Sequence, residues 1–141
     1  MTQILVELLH RNARMPRRAR NGDSGFDVFS VNDVVVMPGE TRPVPLSLRL
    51  SIPDGFEVQI RPRSGLSAAG LLVHFGTVDS GYRGPVSVVV TNLGASERAI
   101  SANDRVAQFV VAPVASASFV DSDGFFTETE RGEGGFGSTG R

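Results

Sequence analysis

Short runs of apolar and β-branched residues, separated by glycine, proline, asparagine and aspartate, recur along most of the chain. Phe56, Val58 and Ile60, for example, are separated by single polar residues, which is typical of a strand with one buried face. Helical periodicity is scarce. The pattern predicts strands at 3–9, 34–37, 44–52, 56–60, 71–75, 86–92 and 106–114.

One short helix is predicted at 64–69, with Ser64 as its N-terminal cap. The chain has 141 residues, of which 40% are hydrophobic, and this suits one globular domain. We therefore expect an all-β fold, a distorted jelly roll or β-sandwich subunit. From about Phe119 the hydrophobic pattern fades and glycines crowd the C-terminus. We expect a β jelly-roll domain at 1–118, followed by a C-terminal arm at 119–141 that stays mobile until it binds a ligand.

Missing residue types exclude several kinds of chemistry. All 14 positively charged side chains are arginines, so there is no Walker A lysine, no Schiff-base lysine and no kinase-type lysine. The absence of cysteine excludes a thiolate nucleophile, a disulfide and cysteine-ligated zinc. His10 and His74 are the only histidines, and neither lies in an H-E-x-x-H motif. Any catalysis must therefore use carboxylates, guanidinium groups, hydroxyls and backbone N–H groups, with or without a hard metal ion.

Charge and hydropathy limit the partners. The net charge is -1, which points neither to nucleic acid nor to an anionic membrane. No apolar run approaches the roughly 20 residues that span a bilayer, and the N-terminus lacks the pattern of a signal peptide. We therefore expect a soluble, cytoplasmic protein.

Three segments carry groups that bind phosphate or a hard metal. Arg61-Pro62-Arg63-Ser64-Gly65-Leu66 combines two guanidinium groups, a hydroxyl and a helix N-terminus. Asp23-Ser24-Gly25-Phe26-Asp27 offers two carboxylates to Mg²⁺. Asp104-Arg105-Val106-Ala107-Gln108 places Arg105 at a strand entrance. Each also has a plainer interpretation: an arginine-rich turn, an ordinary Asp-Ser-Gly turn and a surface ion pair.

Two further segments are less ordinary. Between Gly76 and Gly84, Asp79 and the only tyrosine, Tyr82, flank a glycine turn, which predicts a hairpin that aims both side chains at one place. The alternative is an aspartate that hydrogen-bonds its own turn. In the tail, Phe136 is a lone aromatic among glycines that can stack on a base, between Arg131 and two hydroxyl residues. The alternative there is a solvated chain end.

In their order and spacing these five segments resemble the five motifs of the homotrimeric dUTPase family, from Ala19 to the C-terminus. The most specific parts are Arg63-Ser64-Gly65-Leu66, Asp79 through Gly84, and Arg131 through Gly140. The resemblance implies a homotrimer whose active sites are shared between chains and Mg²⁺ as the cofactor. It also implies hydrolysis of dUTP to dUMP and pyrophosphate, which limits uracil in DNA and supplies dUMP for dTMP synthesis.

The resemblance also implies roles for single residues. Asp79 takes the attacking water, Tyr82 packs where a ribose 2′-hydroxyl would lie, and Asp27 reaches Mg²⁺ through a water molecule. Arg105 supports the phosphate site through Asp104. The implied substrate-binding residues are Arg63, Ser64, Gly65, Gly76, Thr77, Val78, Tyr82, Gln108, Arg131, Phe136, Gly137, Ser138 and Thr139.

Recognition of the base is less completely specified. A hairpin at 74–78 is the expected wall against the methyl group of thymine, and His74 either touches the base or packs elsewhere. The dCTP deaminases share the expected fold, but Tyr82 and the sequence Phe136-Gly137-Ser138-Thr139 favour a dUTPase. A non-catalytic dUTP sensor is the third hypothesis, and the presence of Asp79 beside the phosphate-binding groups argues against it.

Overall fold

A computed structural model describes residues 1–137 and residue 140. In this part of the chain, short strands follow one another with a single helix between them. The strands are β1 (Leu5–Leu8), β2 (Gly25–Phe29), β3 (Val34–Val36), β4 (Thr41–Pro45), β5 (Leu48–Ser51), β6 (Phe56–Arg61), β7 (Leu71–Val73), β8 (Gly76–Val78), β9 (Ser87–Asn92), β10 (Arg98–Ile100) and β11 (Arg105–Pro113). The helix, α1, is Ser64–Ala68. None of the helical structure in this part is long and apolar enough to cross a membrane.

The strands pair in antiparallel fashion in two larger sheets and two small ones. One sheet has the order β2-β11-β6-β8 and the other the order β4-β9-β7. The two small sheets are β1-β5 and β10-β3. Both larger sheets contribute to one hydrophobic core, in which Val58 and Phe109 come from the first and Val88 and Val90 from the second. The expected all-β fold with one short helix is confirmed.

Period-two alternation explains how a valine-rich strand forms one face of this core. In β9, Val88 and Val90 are fully buried, whereas Val89 between them is 39% exposed. Successive side chains of a strand point to opposite faces of the sheet, so the first two can enter the core while the third faces outward. Full burial of a valine side chain contributes about 1.5–3 kcal/mol of transfer free energy.

Some predicted strand boundaries were wrong. The segment predicted as one strand at 44–52 is divided between β4 and β5, because Ser47 has a φ of 52° and interrupts the extended backbone. Strands β2, β8 and β10 were not predicted. β8 and β10 have three residues each, which is too short for a recognisable alternation.

The predicted hairpins are also corrected by the sheet topology. β7 pairs with β9, whereas β8 pairs with β6, so residues 74–75 cross from one sheet to the other. The turn that contains Asp79 and Tyr82 likewise connects two sheets, since β8 and β9 are not paired. In the helix, Arg63 and not Ser64 occupies the N-cap position, and no side chain caps it.

Candidate active site

The outer face of the four-stranded sheet carries three of the polar residues predicted for the site, Asp27, Thr77 and Gln108. Directly opposed residues of an antiparallel pair point to the same face. Gln108 is opposite Asp27 on one neighbouring strand and opposite Arg61 on the other. Farther along the same face, Thr77 is opposite Gln59. Residues from distant segments therefore share one surface.

At one end of this surface lies a cavity of about 430 Å³, which we call the arginine cavity. Its lining residues are Ala19, Asp27, Arg63, Ser64, Gly65, Arg105 and Gln108. Arg63 Nε lies 3.1 Å from Asp27 Oδ1, and Arg105 contacts the other carboxylate oxygen at 3.6 Å. Two guanidinium groups thus face one half-buried carboxylate, an arrangement that leaves a net positive charge for an anion.

A β-bulge turns Arg105 toward this cavity. The register between β11 and β2 shifts between Arg105 and Ala107, and both Val106 and Ala107 are fully buried. The additional residue restores Arg105 to the outer face, where it contacts Asp27. Asp104, through which Arg105 was expected to act, accepts a hydrogen bond from the Ser101 N–H at 2.8 Å, and its supporting role stays a prediction.

Gly25 makes room for the side chain of Gln108. A Cβ atom at Gly25 would collide with Gln108 Oε1 and would lie 2.9 Å from Gln108 Cδ. Gln108 Nε2 donates to the carbonyl oxygen of Pro62 at 3.0 Å, which holds the amide against the Arg63 loop. The close contact between the two strands explains a glycine that the sequence suggests only as part of a turn. Asp23, the other carboxylate of that segment, accepts a hydrogen bond from the Arg20 N–H and does not line the cavity.

Asp79 lies in a second, separate cavity of about 310 Å³, beside Glu57 and Ser80. The Tyr82 N–H donates to the carbonyl oxygen of Asp79 at 3.1 Å and closes the turn between them. The Tyr82 hydroxyl donates to the carbonyl oxygen of Pro85 at 2.9 Å, and its ring occupies the space where a Cβ of Gly84 would lie. Asp79 is exposed and available to a ligand.

The two cavities are far apart within one chain. Extending the β6–β8 register by one residue places Asp79 beside Glu57, whereas Gln108 is opposite Arg61 at the other end of β6. At about 3.4 Å per residue and 4.8 Å between strands, Asp79 is roughly 17 Å from Gln108. Direct contacts to one phosphate group require about 3 Å. Asp79 and the arginine cavity of the same chain therefore lie toward opposite ends of this sheet face.

The segment predicted to recognise the base contains β8, which is an edge strand of its sheet. Its unpaired edge leaves backbone N–H and C=O groups free for hydrogen bonds. Gly76 packs tightly, since a Cβ there would lie 3.1 Å from Ile60 Cδ1, and Val78 is buried. His74 Nε2 lies 2.7 Å from Thr91 Oγ1 and is occupied by that contact.

The C-terminal arm leaves the body of the protein after β11. Val114 N–H donates to the carbonyl oxygen of Gly55, and in the remaining described residues the backbone hydrogen bonds are local to the arm. Arg131 Nε donates to the carbonyl oxygen of Gly134, and Phe136 and Gly137 are exposed. The predicted residues Ser138 and Thr139 lie outside the described part of the chain.

Comparison with known proteins identifies the family. A sequence profile of the dUTPase family matches residues 11–140. The chain belongs to the dUTPase family. A deoxyuridine 5′-triphosphate nucleotidohydrolase of Clostridium kluyveri is 39% identical over 141 residues. The aligned region includes 98% of this chain and 98% of that protein.

Solved structures of dUTPases extend the similarity to the fold. A mutant dUTPase of Staphylococcus bacteriophage 80alpha, solved with dUpNHpp, superposes with a TM-score of 0.93 at 28% identity over 100% of both chains. A mutant dUTPase of phage phi11 of S. aureus, which coordinates a structural Mg(II) ion, has a TM-score of 0.82 at 27% identity, over 87% of this chain and 98% of that one.

Proposed function

We propose that this member of the dUTPase family hydrolyses dUTP to dUMP and pyrophosphate. The observation that carries the proposal is the arginine cavity, where Arg63, Arg105 and Gln108 surround Asp27 beside Ser64 and Gly65. Guanidinium and amide groups donate strong hydrogen bonds to phosphate oxygens. These groups would neutralise charge on the leaving pyrophosphate, while Asp79 provides a base for the attacking water.

The donor set of the cavity fits a magnesium triphosphate. Mg²⁺ usually keeps several water ligands and binds through one or two carboxylates together with substrate phosphates. Asp27 is the carboxylate of the cavity, and its contacts with Arg63 and Arg105 favour a role as hydrogen-bond acceptor for a metal-bound water. When bound, Mg²⁺ would neutralise phosphate charge and orient the triphosphate. In the described part of the chain, no group of three or more acidic, histidine or cysteine side chains forms a cage of its own.

In the proposed reaction, Asp79 accepts the proton of a water molecule that attacks the α-phosphorus. The bond from the α-phosphorus to the bridging oxygen breaks, and pyrophosphate leaves with its charge stabilised by the arginine cavity. No covalent enzyme intermediate forms. Tyr82 would cover the sugar, and the free edge of β8 at Gly76, Thr77 and Val78 would hydrogen-bond the uracil, because an unmatched polar edge is costly to bury.

We further propose a homotrimer in which each site combines Asp79 of one chain with the arginine cavity of another. The distance of roughly 17 Å between the two within one chain supports this arrangement. The arm supports it too, since Phe119, Phe125 and Phe126 are each at least 85% exposed. Exposed aromatic residues on an extended arm are typical of a segment that packs on a partner. The arm would carry Arg131 and Phe136 to a neighbouring site.

A nucleotide panel tests the activity. With Mg²⁺, we expect pyrophosphate release from dUTP and at least about tenfold less from dTTP, dCTP and UTP, since one methyl or hydroxyl group changes discrimination by about 1–3 kcal/mol or more. Without Mg²⁺, release from dUTP should fall. Equal release from all four nucleotides would contradict the proposed specificity. Ammonia release from dCTP would indicate a deaminase.

Mixed trimers test the shared site. Asp79→Asn subunits and subunits truncated after Glu130 should each be inactive alone, because each lacks one part of every site. After the two are unfolded, mixed and refolded together, some sites would receive an intact Asp79 and an intact arm, so activity should reappear. Native mass spectrometry would verify that mixed trimers form. Complete inactivity of verified mixed trimers would contradict a site shared in this way.

A further inference from the structure

We infer that Arg17 is a further phosphate-binding residue at the edge of the arginine cavity, an inference that rests on the proposed function. Arg17 lies in the N-terminal segment, outside the named strands, but forms an isolated antiparallel bridge with Asp27. The Arg17 N–H donates to the carbonyl oxygen of Asp27 at 3.0 Å, and the Asp27 N–H donates back at 2.8 Å. Their Cα atoms are therefore about 5.5 Å apart.

This bridge determines the direction in which the Arg17 side chain points. Opposed residues of an antiparallel pair share a face, so Arg17 lies on the side of Asp27 and Gln108. Ala19, two residues farther along, lines the arginine cavity itself. Arg18 points the other way, with its Cζ 4.3 Å from the centroid of the Phe26 ring. The alternation expected of an extended segment thus assigns Arg17 to the side of the cavity.

No acidic side chain of the described residues neutralises the positive charge of Arg17 at the edge of the arginine cavity. Both carboxylate oxygens of Asp27 already contact other guanidinium groups, those of Arg63 and Arg105. In residues 1–137, no ion pair or side-chain hydrogen bond involves the Arg17 guanidinium. A free guanidinium on the same face as those of Arg63 and Arg105 suits an anion with several oxygens, because each planar group can bind a phosphate through two parallel N–H donors. Arg17 would thus extend the binding surface for the substrate's phosphates beyond Asp27.

The test compares Arg17→Gln with Arg18→Gln. Both substitutions remove one positive charge from adjacent positions, but only the first removes it from the side of the cavity. Because the bridge to Asp27 uses backbone atoms only, it should survive both. The probes are inorganic pyrophosphate with Mg²⁺ and the analogue dUpNHpp, with the dissociation constant measured by titration calorimetry. Steady-state hydrolysis of dUTP gives KM and kcat.

We expect Arg17→Gln to weaken binding of both probes about tenfold, which corresponds to about 1.4 kcal/mol. KM should rise by a similar factor, and Arg18→Gln should stay within about twofold of wild type. Arg17→Lys should recover part of the loss, since it restores the charge without the planar fork.

Equal effects of the two glutamine variants would overturn the role of Arg17 while leaving the proposed hydrolysis intact. If wild-type protein did not hydrolyse dUTP, the proposed function would fail separately, and pyrophosphate binding would still decide whether Arg17 contacts phosphate. Should Arg17→Gln lower the thermal unfolding midpoint, comparison with a folded Arg17→Lys variant decides, because identical binding by lysine and wild type would exclude any special role of the guanidinium.

Discussion

Replacing Asp79 by asparagine is expected to slow hydrolysis of dUTP by about 10²–10⁴-fold, because the amide cannot accept a proton from the attacking water. The substitution is nearly isosteric. Asp79 is exposed on a turn, and in the described residues its carboxylate takes part in no ion pair that the fold would lose. Folding and subunit assembly should therefore be preserved, and the loss should fall on kcat.

Glu57→Gln is the matched control for this variant. Glu57 lines the same cavity as Asp79, so its replacement removes one carboxylate from the same surroundings. Single-turnover rates and the dissociation constant of dUpNHpp should be measured for both proteins. We expect nearly unchanged analogue binding by both and slow chemistry only in Asp79→Asn. Near-normal turnover of Asp79→Asn would place the base elsewhere.

Truncation after Glu130 is expected to lower turnover by about 10²-fold or more while the fold remains intact. The core is built from residues that precede the arm, so its removal should not expose buried surface. Loss of Arg131 and Phe136 removes a cation and a stacking group from the proposed active site. Misplacement of the reacting groups alone can lower the reaction rate by about 10²-fold. Circular dichroism and single-turnover kinetics would measure the two effects separately.

The physical reason for a ligand-dependent arm is its backbone entropy. Fixing a flexible residue costs about 1–2 kcal/mol, whereas stacking of Phe136 on a base contributes about 1–3 kcal/mol. The arm should therefore fold over the active site only when the base and the triphosphate of the substrate are both bound. Phe136→Ala should reproduce much of the truncation defect, because it removes the stacking group while the rest of the arm remains. Unchanged turnover of the truncated protein would mean that the tail is only a solvated end.

The sequence alone was sufficient to predict the fold class and the family. The alternation of Phe56, Val58 and Ile60 with polar residues depends only on neighbouring positions, so it is visible before folding. The absence of lysine and cysteine excludes whole classes of mechanism without reference to any fold. The motif order carried the resemblance to dUTPases, which the family profile then confirmed. The roles assigned to individual residues stay predictions.

Tertiary structure decided what those residues contact. Arg105 pairs with Asp27 because of a bulge in β11, a contact that the sequence did not indicate. The expected hairpin around Asp79 divides between two sheets, since partners of β8 and β9 come from distant segments. Arg17 is one of five arginines between residues 11 and 20, and only its pairing with Asp27 assigns its side chain to the face of the sheet that carries the cavity. Pairing between distant segments depends on how the whole core packs, and no local pattern encodes it.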